Sequence, residues 1–226
     1  MEDMYKLVKD FFSHDMDLDD LFDSEAIIWI DWREDDEGVV NYFNDMMDEP
    51  IDIQTVSNGK QYGDDIVLQK GNKKLLIPYG DEKDRDVTIK YFNDFVKPDY
   101  EVRWFAESLG DDTLGFTVLS GIEWTKLNDE FGVDTVRYYF EPIDRESNMF
   151  NLDMDEVFPL LALRENSDGM NTDFSTQLDW IKIINKEKAL TEQKENGQID
   201  LKQYMVAKKE LQQIKDEFIA THGEIE

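Results

Sequence analysis

The sequence predicts an α+β fold: one mixed or antiparallel sheet flanked by helices, followed by a C-terminal two-helix hairpin. Three observations carry this reading. Short runs of β-branched and aromatic residues are interleaved with amphipathic stretches in the order strand, helix, three strands, helix, two strands, helix. Compact turn signals join several of the strands, at Asn58-Gly59, Gly71-Asn72 and Gly110-Asp111-Asp112. Near the end, Tyr204, Ala207, Leu211, Ile214 and Phe218 recur at alternating spacings of three and four, the narrow seam of a helix that pairs with one neighbour.

Met4, Leu7, Val8, Phe11 and Phe12 recur at helical spacing and open the chain with a helix. The stretch His14 to Asp23 alternates acids with apolar residues and reads as a short helix or an extended arm. Ala26 to Ile30 is an unbroken β-branched and aromatic run, the mark of a buried strand. Asp35 and Asp36 start a helix carrying Val39, Val40, Phe43, Met46 and Met47, with Pro50 beyond its end. Ile51 to Val56 alternates with period two. Asp65 to Gln69 and Lys74 to Pro78 form a hairpin about Gly71-Asn72. Asp86 opens a helix through Val87, Ile89, Phe92 and Phe95 that stops at Lys97-Pro98. Tyr100 to Phe105 and Thr113 to Leu119 are strands. Ser120 with Glu123 has capping-box spacing ahead of Ile122, Trp124, Leu127 and Phe131. Val133 to Ile143 is ambiguous, with helical spacing and strand composition. Asp155 to Leu163 reads as a short helix kinked or started near Pro159.

Residues 165–173 are polar and contain Ser167-Asp168-Gly169, which marks a linker. The expected division is an acidic α/β domain over 1–165 and a helical hairpin over 171–226. The hairpin helices run from about Phe174 to Glu195 and from Asp200 to Ile219, with Leu178, Ile181 and Leu190 on the first facing the seam of the second.

The charge is strongly uneven. The chain carries 53 acidic and 24 basic residues, a net charge of −29. Residues 171–226 hold 11 acids and 8 bases; residues 1–170 hold the other 42 and 16, a net −26. Such a field repels nucleic acid and anionic membranes and draws in basic proteins, so neither direct nucleic-acid binding nor membrane association is expected. Solubility alone explains a high charge, but a general solubility device also touches the tail. No apolar run reaches the length of a membrane span. Met1-Glu2-Asp3-Met4 begins without the basic and apolar pattern of a secretory signal, and cysteine is absent; together these point to the cytoplasm.

Catalytic chemistry finds little support. Without cysteine there is no thiolate site, and the two histidines, His14 and His222, lie in flanking segments, away from any triad or His-rich metal site. A calcium loop begun at Asp15 needs Gly at its sixth position and Glu at its twelfth; Asp20 and Ala26 stand there. The strand order is similar to that of PD-(D/E)xK nucleases, with Asp81-Glu82-Lys83 as the acid-x-Lys triplet and Asp65 as the upstream acid. That triplet follows Pro78-Tyr79-Gly80, in a loop, and the charge opposes a polyanionic substrate. No phosphate-binding glycine loop is present, and no cofactor, metal site or catalytic residue is assigned.

Two resemblances complete the reading. Gly197-Gln198-Ile199-Asp200 with Tyr204, Lys208 and Leu211 resembles the short helical hairpins that end many bacterial proteins, which implies an accessory or self-association element. Ile28 to Trp32, Asp111 to Phe116 and Ser120 to Trp124 resemble segments of immunity proteins of bacterial polymorphic toxins, over residues 25–150. That resemblance implies an inhibitory protein that blocks a basic partner such as a toxin nuclease. A phage anti-defence protein mimicking nucleic-acid charge is the alternative, and a metal-dependent nuclease the third. The expected partner-binding carboxylates are Asp15, Asp17, Asp19, Asp20, Asp35, Asp36, Asp111 and Asp112, all at loops or helix starts. Trp29, Trp32 and Trp104 are expected in the core or along a sheet edge, with an interface hot spot among acids as the alternative, and the C-terminal helices are a candidate homo-oligomer contact.

Overall fold

The computed structural model describes residues 3–166 and 172–225, in two compact units that divide between Asn151 and Leu152. The fold is α+β, with its strands shared between two antiparallel sheets rather than gathered into one. Of the linker expected at 165–173, residues 167–171 lie outside the described residues, and Asp173 caps the helix that follows. Among the described residues, no helix is long and apolar enough to cross a membrane.

The first unit opens with α1 (Met4–Phe12) and α2 (Leu18–Phe22), so the acidic stretch after His14 resolves as a short helix. Then come β1 (Ile28–Asp31), α3 (Asp36–Asp45), β2 (Asp52–Lys60), β3 (Gly63–Lys70), β4 (Lys73–Leu76), α4 (Arg85–Val96), β5 (Tyr100–Phe105), β6 (Thr113–Ser120), α5 (Gly121–Phe131), α6 (Val133–Tyr139) and β7 (Phe140–Pro142). The ambiguous stretch 133–143 is therefore both elements in succession. The first sheet runs β1-β6-β5-β7 and the second β2-β3-β4.

Period two assigns the first sheet's faces. Trp29, Gly115 and Phe105 are cross-strand partners on one face, where Phe105 joins Leu7, Val8, Phe11, Phe12, Leu21, Trp124, Leu127 and Val136 from α1, α2, α5 and α6. The opposite face presents Ile28, Phe116 and Trp104, and Phe43 of α3 meets both Phe116 and Phe92 of α4. A central sheet is thus covered by helices on both sides. Gly115 is required by packing: a Cβ there would lie 2.8 Å from Ile27 Cγ2 and 3.2 Å from Phe105 Cδ1. Gly115→Ala is expected to cost about 1–3 kcal/mol as an overpacked core site, measured by urea unfolding; a cost near zero would mean that Ile27 moves freely.

The second sheet is less buried. Ile66, Val67 and Leu68 of β3 are buried, while most of β2 is exposed, so its period-two pattern does not bury a face. Asn58-Gly59, expected to turn the chain, is instead a bulge within β2, with Gly59 at φ 69° and the register shifting between Ser57 and Lys60. The reversal comes at Gln61-Tyr62.

The second unit contains α7 (Met154–Asn166), α8 (Phe174–Glu195) and α9 (Leu201–His222). Pro159 lies inside α7 and has no N–H to give to the carbonyl of Asp155. Asn185 of α8 repairs this, its Nδ2 donating to that oxygen at 2.7 Å. In the hairpin, α8 has the expected extent and α9 runs three residues past the expected end at Ile219. Trp180 stacks on Phe218 at 5.4 Å, and Lys215 pairs with Glu187 at 3.0 Å. One seam residue is corrected: Ile214 is 49% exposed, and the α8-facing stripe is Tyr204, Ala207, Leu211, Lys215 and Phe218.

Candidate functional site

The strongest candidate lies at one end of the first sheet. Asp31 at the end of β1 pairs with Thr113 at the start of β6. This register brings the turn after β1, residues 32–35, and the turn before β6, Asp111-Asp112, to the same end of the sheet. The two carry Asp31, Glu34, Asp35, Asp111 and Asp112 against the one cation Arg33. Asp35, Asp111 and Asp112 are exposed, as a binding role requires.

Trp32 stands within this acidic corner, just past the edge strand β1, and is 60% exposed, which corrects its expected place in the core. The Arg33 guanidinium lies over its ring, 4.7 Å from the centroid. Tyr42, nearly two turns into α3 and beside Glu34, is 42% exposed. The Glu34 carboxylate, and less so Asp35, raises its phenol above the ordinary value. Glu34 lies over the start of α3, where a Cβ on Gly38 would approach its Oε1 to 3.0 Å.

The corner is fixed from beneath. Arg85, the first residue of α4, donates from Nη1 to the carbonyl of Asp31 at 2.7 Å and from Nη2 to the carbonyl of Glu34. Its Nε reaches Asp36 Oδ1 at 3.3 Å. One guanidinium thus holds both ends of the Trp32 turn, using the planar fork that lysine lacks. Thr88 donates to the same Asp36 oxygen at 2.9 Å, and Tyr79 reaches Thr88 at 2.7 Å. Burial pushes the Tyr79 phenol up, so it stays a neutral hydrogen-bonding group. Asp35 caps α3 by accepting from Gly38 N at 2.7 Å, and Asp31 Oδ1 accepts from Arg33 N at 2.7 Å.

Asp36 does not project from this corner. It is 7% exposed and serves Arg85 and Thr88, so the expectation of a projecting carboxylate is corrected. The reason is a contact 49 residues away in sequence.

Asp15, Asp17, Asp19 and Asp20 are exposed, but on the other helical layer. Asp17 caps α2, accepting from Asp20 N at 2.9 Å. Phe22 anchors that helix on Trp29 and Phe105, the sheet face opposite α3. These carboxylates form a second acidic patch.

The nuclease triplet Asp81-Glu82-Lys83 lies in the loop between β4 and α4, with Lys83 near enough to Asp65 to act on its carboxyl. Asp65 accepts from Asn58 and Tyr62, and these two bonds, Asn58 first, hold its carboxyl below the usual range. Among the described residues, no group of three or more His, Asp or Glu side chains is arranged to hold a metal ion. Sequence reasoning missed Tyr42, Glu34 and Arg85, and ranked an interface role for Trp32 behind core packing. The available signal was Trp32 itself, an aromatic directly followed by Arg33-Glu34-Asp35-Asp36. Comparison of the chain with family models, with curated proteins and with solved structures finds no match.

Proposed function

We propose that this protein is an inhibitory binding protein that blocks a basic partner, such as a toxin nuclease, through the acidic corner of residues 31–42 and 111–112. The observation that carries the reading is the exposed Trp32, on a turn tied at both ends to Arg85, with the exposed Tyr42 of α3 beside it among carboxylates. Tryptophan and tyrosine in a preorganised setting are the residues that most often dominate binding energy, and fixing the turn in advance lowers the ordering cost on association. Surrounding carboxylates speed encounter with a cationic surface, while the aromatic anchors govern dissociation. Carboxylates seated where a nuclease binds phosphate would exclude its substrate.

The test begins by capturing partners from the source organism on the immobilised protein, then measuring the purified complex by surface plasmon resonance across salt. A basic partner is expected, with its nuclease activity lost in the complex. Its association rate should fall steeply as the Debye length shrinks from about 10 Å at 0.1 M salt to about 3 Å at 1 M. The pair Asp111→Asn and Asp112→Asn should lower that rate and flatten its salt dependence. Trp32→Ala should act on dissociation, costing about 2 kcal/mol, or roughly 30-fold in Kd. An acidic partner, or an association rate indifferent to Asp111, Asp112 and the Asp15, Asp17, Asp19 set, would reduce the charge to a solubility device.

A further inference from the structure

The α9 helix has a second face, adjoining the one that meets α8 and sharing Lys208 and Gln212 with the groove between the two helices, that fits another copy of itself. Along it run Met205, Lys208, Gln212, Asp216 and Ile219, with Lys209 beside Lys208. Measured from Gln212, these positions fall at minus seven, minus four, zero, plus four and plus seven, a spacing symmetric about the central glutamine. Met205 is 59% exposed, Leu201 at the start of the same face is 66% exposed, and Ile219 at its other end is half-buried. A shallow groove lined by Met205, Lys208, Lys209, Gln212, Gln213 and Asp216 follows the face.

Its chemistry is self-complementary when reversed. Placed antiparallel on a second α9 about a two-fold axis at Gln212, Met205 meets the second copy's Ile219, Lys208 meets its Asp216, and the two Gln212 amides meet each other. A two-fold contact requires this property, since each position must suit its symmetry mate. The parallel arrangement would put Lys208 on Lys208 and Asp216 on Asp216. Among the described residues, neither Lys208 nor Asp216 has an ion-pair partner within its own chain; Asp216 accepts only from Gln212, at 2.8 Å. The helix spans Leu201 to His222 and carries nearly balanced charge, unlike the strongly acidic first unit, so two copies approach along it without the repulsion met elsewhere.

We infer that the outer face of α9 is an antiparallel, two-fold self-association surface registered by Lys208 and Asp216 about Gln212. The inference is independent of the acidic corner and of its partner. The apolar contribution comes from few side chains, which makes the dimer a concentration-dependent one. Charge specifies its register, as it does in coiled-coil pairs.

Sedimentation equilibrium of the full chain at about 0.15 M salt, from micromolar to several hundred micromolar, tests this. A reversible monomer–dimer equilibrium is expected. Lys208→Asp and Asp216→Lys each place like charges across the axis, and each should weaken the dimer at least tenfold with helical content by circular dichroism unchanged. An equimolar mixture of the two variants should recover association as a heterodimer, because each then supplies the charge the other lacks. The doubly reversed chain should recover it alone. A wild type that stays monomeric throughout, a dimer untouched by either reversal, or a mixture that fails to recover would each overturn the assignment.

Discussion

Replacing Arg85 with alanine is expected to destabilise the first unit by about 3–5 kcal/mol, the usual cost of removing one partner from a buried ion pair. The Arg85 and Asp36 side chains are 12% and 9% exposed, so the carboxylate left behind has little water to turn to. Thr88 alone remains to satisfy it. The same change frees the carbonyls of Asp31 and Glu34, and with them the turn that displays Trp32. In a chain of this size the loss corresponds to a fall on the order of 10 °C in the melting temperature. Arg85→Lys should recover only part, because an ammonium cannot span two carbonyls and a carboxylate in one plane. Asp36→Asn should cost less than Arg85→Ala, and the double variant less than the sum, since the two residues share one interaction. The same Arg85 variants connect stability to binding: a loosened Trp32 turn should slow association with a partner even where folding is complete. An Arg85→Ala protein within about 1 kcal/mol of wild type would mean that the turn holds itself.

This clamp also shows where sequence reading stops. Signals confined to a few neighbouring residues were legible. The Ser120 and Glu123 capping box is present in full, with each side chain bonded to the other's backbone. The turn at Gly71-Asn72 joins β3 to β4, and the starts of α8 and α9 follow from their caps at Asp173 and Asp200. Asp36 was misread because a carboxylate in the first turn of a helix ordinarily faces water, and nothing nearby announces Arg85. Asn58-Gly59 was misread because a bulge needs the same positive-φ glycine as a turn, and the distinction lies in the partner strand. Two sheets rather than one could not be read from strand order, since each local hairpin satisfies its own hydrogen bonds whichever sheet it joins. Of the acidic residues expected to bind, Asp35, Asp111 and Asp112 gather because β1 pairs with β6, a contact between segments some eighty residues apart.

The other large effect is expected at Asp86, which sequence reading took as the residue opening α4. Asp84 performs that task, its side chain accepting from Val87 N at 3.2 Å. Asp86 is 1% exposed and looks instead toward the end of the first unit. Its two oxygens accept from the backbone amides of Met149 at 3.0 Å, Phe150 at 2.9 Å and Asn151 at 3.1 Å. Successive amides converging on one carboxylate form an anion nest, and the positive end of α4 adds to it. The anchored segment seats Phe150 over Phe116, with ring centroids 6.2 Å apart, and beneath the Arg85 guanidinium, 5.3 Å from the ring. Asp86→Ala leaves three amides without their acceptor. At about 1–3 kcal/mol for each buried donor left unsatisfied, the expected cost is at least about 3 kcal/mol. Asp86→Asn should recover little, because its amide presents a donor to a ring of donors. Asp84→Ala, which removes a helix cap and an exposed contact with the Asn151 side chain, should cost only about 1 kcal/mol and serves as the comparison. Hydrogen exchange separates local from global loss: in Asp86→Ala the amides of 149–151 should exchange faster by a larger factor than those of β5 and β6. Equal costs for Asp84→Ala and Asp86→Ala, with exchange at 149–151 unchanged, would show that the segment is held by Phe150 packing and that the nest contributes little.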